Sequence, residues 1–226
     1  MSIFWLILSL ILLYFSKNLL VGQFTRLIHR LGGGQHGAII TWSIFFLPGT
    51  IIHEISHFLI AALTGARTGK IEIFPEYLEE KNKEKGGVAL GYVETQTLNP
   101  IQGFLVGIAP FVSGAIILVY LASLIQLSFQ DKNYQLLALE LYLFFTVANS
   151  FFPSWSDIKQ TLPLIVISLI VVVLAWYFGF QLLISPSSEI WILIETLTNT
   201  IVISVILNVF VFGLIFTINK IKFRRK

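Results

Sequence analysis

The chain contains no cysteine, which excludes disulfides, thiolate-held metals and cysteine nucleophiles. Charge is nearly as scarce. Only 12% of the 226 residues are charged against 56% hydrophobic, and the mean hydropathy is +0.84. A soluble domain carries about 25% charged residues. So little charge cannot cover a water-soluble globule of this size. That excludes a soluble enzyme, a disordered tail and a coiled coil, and points to a polytopic protein of the lipid bilayer. The net charge of +3 is too small to suggest a nucleic-acid partner. Aspartate occurs only at Asp131 and Asp157, and histidine only at His29, His36, His53 and His57.

Long apolar runs are abundant. Residues 95–130, 160–188 and 196–219 carry no Asp, Glu, Lys or Arg, and each exceeds the roughly 20 residues that a spanning helix needs. Two further runs hold a few ionisable groups: 38–65, with His53, Glu54 and His57, and 135–153, with Glu140. A first run, 3–22, is cut by Lys17 and Asn18. It reads as a retained helix rather than a signal peptide, because no basic residue precedes it and no small-residue cleavage site follows. The expected fold is all-α and polytopic, a single membrane domain over 1–226, with about six transmembrane helices near 3–22, 38–65, 101–127, 135–153, 161–184 and 196–219.

Lys and Arg set the expected orientation. With the N-terminus inside, Arg67, Lys70, Lys81, Lys83, Lys85, Lys159, Lys220, Lys222, Arg224, Arg225 and Lys226 are cytoplasmic, and Lys17, Arg26, Arg30 and Lys132 are outside. That 11-to-4 split puts both termini in the cytoplasm. The one sizeable polar segment, 66–100, begins with polar–apolar alternation at Lys70–Phe74. It passes through a charged turn region, Glu76–Lys85, and ends in a second β-like run, Gly87–Thr95. It reads as a small cytoplasmic β-hairpin after the second helix.

Inside the second run stands His53-Glu54-Ile55-Ser56-His57, the H-E-x-x-H pattern. Random shuffling of this composition produces it in roughly a few cases per thousand. Residues four apart share a helix face, so both imidazoles can point at one zinc ion. Glu54 lies about 100° round the helix, close enough to take a proton from water held there and pass it to a leaving amine. Ionisable groups at bilayer depth are costly unless paired or wet, which makes them functional candidates by default. The plain alternative is a pair of neutral histidines bonded to a neighbouring helix.

A zinc site needs a third protein ligand. Asp157 follows Asn149 and Pro153 at the inner end of the fourth expected span, at the same depth as His53 and His57 if the two spans run in one direction. Pro153 breaks the helix and lets residues 154–157 turn back into the bundle. Glu140 and Glu195 are the competing carboxylates. His29, His36 and Asp131 read as ordinary loop residues. The third span carries Asn99-Pro100, Gly103, Gly107, Pro110 and Gly114, small residues that admit close helix approach, and is expected beside the His53–His57 helix.

This constellation resembles the site-2 protease family of intramembrane zinc metalloproteases. The resemblance rests on His53-Glu54-x-x-His57 in an apolar helix, Asp157 eight residues after Asn149 with a proline between, and the Asn-Pro and Gly-x-x-Pro elements of the third span. It covers roughly 38–160 as a three-helix catalytic core, with 161–226 adding two helices. It implies Zn2+ held by His53, His57 and Asp157, Glu54 as general base, and Asn149 near the substrate or the developing oxyanion. It also implies a membrane protein or peptide substrate. The Lys and Arg split puts the active site toward the cytoplasmic side, in a prokaryotic plasma membrane or an organelle membrane. Ile158 stands where the family often has Gly, and Ser113 where it has Asn. Two other readings remain open: a membrane zinc hydrolase of the CAAX or heat-shock type, with a glutamate as third ligand, and a non-catalytic membrane protein that keeps a relic metal site.

Overall fold

The computed structural model describes residues 2–66, 68–72, 76–77, 88–89, 92–95, 98–180 and 189–222. Among the described residues seven helices carry the architecture: α1 (Ser2–Arg30), α2 (Gly34–Phe45), α3 (Leu47–Leu63), α4 (Pro100–Gln130), α5 (Tyr134–Ser150), α6 (Trp155–Tyr177) and α7 (Glu189–Lys222). Between α3 and α4 lie four short strands, β1 (Thr68–Glu72), β2 (Glu76–Tyr77), β3 (Val88–Ala89) and β4 (Tyr92–Thr95). β1 pairs antiparallel with β4, Thr68 opposite Thr95, and β2 pairs antiparallel with β3. Most of the expected turn region, Glu76–Lys85, lies outside the described residues.

Local chemistry sets the boundaries. Asn99 caps α4, accepting from the Gln102 amide at 2.8 Å while the Gln102 side chain returns to the Asn99 amide, and Pro100 opens the helix. Ser154 and Asp157 form the same reciprocal cap at the start of α6. α2 and α3 meet at a 73° bend. Pro48, in the first turn of α3, has no N–H to give the Ile44 carbonyl, so the helix stops and restarts around Phe46. The run 38–65 is therefore a bent pair rather than one straight span.

Four helices among the described residues are long and apolar enough to cross a membrane: α1, α4, α6 and α7, with the α2–α3 pair making a fifth. The expected six are not reached among the described residues. The run 135–153 yields only a 17-residue helix, about 26 Å long at 1.5 Å per residue and short of a hydrocarbon core of about 30 Å. Lys17 does not interrupt α1, which continues to Arg30.

Direction is the second correction. Along α4, a Cβ at Gly114 would meet Phe151, one at Gly107 would meet Asp157, and one at Gly103 would meet Gln160. The chain thus passes from the end of α5 into α6 while descending α4 continuously. Residues 151–154 break the helix without reversing it, so the turn back expected at Pro153 does not occur. α1 and α7 then run the same way. Asn208 bonds Ser16, Asn219 bonds Gln23, and Arg30 reaches the Asn219 carbonyl at 2.8 Å. Lys220 accordingly stands on the face of Arg30, whereas the expected topology had put them on opposite faces. The 11-to-4 count had put Arg30 outside and Lys220 inside, so these two cannot both stand where it placed them.

The core lies where these helices meet. Leu13, Leu118, Phe144, Val147, Phe151 and Ile201 are buried in one cluster, and Leu20, Phe46 and Phe145 in another. On α6, residues 165–167 and 169–174 are apolar and exposed, as expected of a surface solvated by lipid.

Candidate metal centre

Four helices converge on the H-E-x-x-H turn. α3 carries His53, Glu54 and His57, with Glu54 and His57 buried. At Gly49, one turn before His53, a Cβ would stand 2.3 Å from the Thr146 carbonyl oxygen and 2.6 Å from Ser150 Oγ. Only glycine lets α3 and α5 approach so closely. The contact brings the last carbonyl of α5 to the first histidine, and His53 Nδ1 donates to the Ser150 oxygen at 2.7 Å. On the other side, His57 Nδ1 donates to the Val106 carbonyl of α4 at 2.8 Å. Ser56 and Ser113 hydroxyls bond across the same helix pair, so the position where the resembled family has Asn still ties α4 to the motif.

Asp157 arrives from the first turn of α6. Its Oδ2 accepts from the Ser154 amide at 2.6 Å and the Ser154 hydroxyl at 2.7 Å. The carboxylate is thereby turned toward the histidines: Oδ1 lies 3.4 Å from His57 Nε2, and Oδ2 lies 3.6 Å from His53 Nε2. The two Nε2 atoms are 3.2 Å apart. One ligand atom from each of His53, His57 and Asp157 lies within 4.8 Å of the others.

The donor set fits zinc. A carbonyl oxygen only accepts, so each Nδ1 carries a proton, and each Nε2 faces Asp157 and the other ring. Two imidazole Nε2 atoms and a carboxylate thus converge, and with both rings neutral they offer two lone pairs and an anion to one cation. Tetrahedral zinc with Zn–N bonds of 2.0–2.1 Å has ligand edges of about 3.3 Å, and the Nε2–Nε2 separation matches that. The backbone carbonyls on both Nδ1 atoms are the outer partners that metal-bound histidines ordinarily have. Glu54 adjoins His53, is buried at 6% exposure, and makes no hydrogen bond among the described residues.

Asn149 goes elsewhere. One N–H of its amide goes to the Phe145 carbonyl at 2.9 Å and the other to Asn208 Oδ1 on α7 at 2.8 Å. Both of its donors are engaged here, and Asn149 links α5 to α7; its place near the substrate or oxyanion rests on the resemblance. Glu140 is buried in α5 with Oε2 unpartnered, and Glu195 is exposed on α7; neither joins the cluster. Asp131 caps the end of α4, and His29 and His36 flank the α1–α2 connection. The residues missed from the sequence are Ser154, Ser113, Val106 and Ser150. Ser154 had a readable signal, the capping spacing to Asp157. The two carbonyls belong to the backbone and leave no residue-type mark.

A family model described as Peptidase M50B-like matches residues 35–220. No curated protein and no solved structure matches the chain. The matched stretch runs from the start of α2 nearly to the end of α7 and contains His53, Glu54, His57 and Asp157. The chain belongs to the Peptidase M50B-like group of the site-2 protease family, membrane metalloproteases by class.

Proposed function

We propose that the protein is an intramembrane zinc endopeptidase whose substrate is a membrane-spanning protein or peptide segment. His53, His57 and Asp157 hold the metal, and Glu54 is the general base. The observation that carries this reading is the convergence of two imidazole Nε2 atoms and a carboxylate beside a buried glutamate that has no hydrogen bond among the described residues, all within apolar helices.

When bound, zinc supplies Lewis acidity, polarising a peptide carbonyl and making water more acidic. The rest falls to the chain. Glu54 has no competing hydrogen bond among the described residues, so its carboxylate is placed to take a proton from the attacking water and later to give it to the departing amine nitrogen. The Ser154 cap keeps the Asp157 carboxylate from swinging away. Side-chain exposures of 9–11% at His53, His57 and Asp157 leave a narrow approach, which limits bulk water and strengthens electrostatic interactions inside. A helical substrate hides its carbonyls, so it has to unwind before attack. β1 and β4 contact α3, and a sheet edge there is suited to hold the unwound segment as an added strand.

The test is cleavage of a transmembrane segment in proteoliposomes, with zinc measured on the same samples. Glu54→Gln is expected to retain zinc and to lose cleavage. Undiminished cleavage by that variant rejects the general-base assignment, and cleavage that survives complete chelation rejects the metal reading.

A further inference from the structure

We propose that Pro110 is a positioning residue for His57: lacking an N–H, it leaves the Val106 carbonyl free to hold His57 in the tautomer whose Nε2 faces Asp157. The proposal rests on the reading of His57 as a ligand and deepens it.

Pro110 lies inside α4, and the residue four before it is Val106. In an uninterrupted helix the N–H at position 110 bonds the carbonyl at 106; proline cannot supply that bond. Val106 is 3% exposed, so its freed carbonyl has little water to turn to. It finds His57 Nδ1 at 2.8 Å instead. Because the carbonyl accepts only, a proton resides on Nδ1, and Nε2 is turned toward Asp157 Oδ1 at 3.4 Å, where the neutral ring presents its lone pair. One missing hydrogen bond in α4 thus selects the ligating face of a ring on α3.

His53 reaches the same state by a separate device. Ser150 ends α5, and the amide four residues on, that of Ser154, donates to Asp157 Oδ2 at 2.6 Å. The Ser150 carbonyl is left for His53 Nδ1. The two histidines therefore have independent anchors, and only His57 depends on Pro110. Loss of the proline leaves His53 as an internal control.

The test compares full-length wild type with Pro110→Ala and with a variant carrying the α-hydroxy analogue of alanine at position 110, which joins by an ester and has no N–H. Imidazole nitrogen shifts are read on metal-free protein over a pH series, and the tautomer is compared on the high-pH plateau where both rings are neutral. Zinc affinity is read by competition with a chelator. In Pro110→Ala the restored N–H competes for the Val106 carbonyl. The His57 Nδ1–H signature is expected to weaken, the His53 signature to stay, and zinc affinity to fall about tenfold or more. The ester variant, which lacks the N–H as proline does, is expected to keep the wild-type signature and affinity. An unchanged His57 in Pro110→Ala, equal changes at both histidines, or an ester variant that behaves like Pro110→Ala overturns the proposal. Wild type that binds no zinc rejects the metal reading instead, and the tautomer comparison on metal-free protein still decides the present one.

Discussion

Asn149 on α5 and Asn208 on α7 exchange two hydrogen bonds, 2.8 Å in one direction and 3.0 Å in the other, with both side chains buried. Asn208 also donates to Ser16 on α1. Three helices are thus pinned through one amide pair at a depth where water cannot replace a lost partner. Interhelical hydrogen bonds in membranes average about 0.6 kcal/mol and reach about 1.7. An orphaned buried amide adds a penalty, so Asn208→Ala is expected to destabilise by about 1–2 kcal/mol. A double-mutant cycle with Asn149→Ala checks this, the expected coupling being about 1 kcal/mol. If instead Asn149→Ala abolishes cleavage and Asn208→Ala leaves it intact, Asn149 has a chemical role that its hydrogen bonds do not account for.

The glycines of α4 make a second expectation. A Cβ at Gly107 would stand 2.7 Å from the Asp157 carbonyl oxygen and 2.6 Å from Thr161 Cγ2, whereas at Gly213 nothing lies within 4 Å. Gly107→Ala has to push the first turn of α6 away, at a cost of about 1–3 kcal/mol, and Asp157 moves with it. Zinc affinity is expected to fall more than helix content. Gly213→Ala is expected to be neutral or stabilising by up to about 1 kcal/mol. Chelator competition and thermal melts on the two variants check both. Equal behaviour of the two would mean that α4 and α6 are not in close contact.

The shared direction of α1 and α7 is testable because the chain has no cysteine to mask a label. Gln35, just inside α2, and Lys220 are exposed. Single cysteines placed there are expected to react with a membrane-impermeant maleimide from the same side. Reaction from opposite sides would restore the even number of crossings and contradict the α1–α7 packing.

How much of this was legible beforehand divides along physical lines. The H-E-x-x-H turn was readable because two histidines four residues apart need only a helix to meet. Asp157 was reachable because a lone aspartate beside a proline in an apolar chain has few other reasons to be there. The direction of α6 was not readable: hydropathy marks where a helix lies and is blind to which way it runs, and residues 151–154 look the same whether the chain reverses or continues. The α2–α3 bend left a trace at Pro48, but composition averaged over 38–65 smoothed it away. Asn149 was assigned from the resemblance alone. Its partner Asn208 lies 59 residues further along, and nothing local announces the pair.

Glu140, buried with an unpartnered oxygen, gives the contrast by which the third ligand is judged. Glu140→Ala is expected to leave zinc content and cleavage in place, since Glu140 stands outside the cluster. Loss of zinc in that variant would favour a glutamate-ligated hydrolase.

The most direct measurement is the metal content of the purified protein, wild type against Asp157→Ala, after gentle extraction. The account predicts about one zinc per wild-type chain and below about 0.2 in the variant, because two imidazoles alone do not retain zinc as a three-ligand site does. Equal zinc in both proteins, or none in wild type, would contradict it.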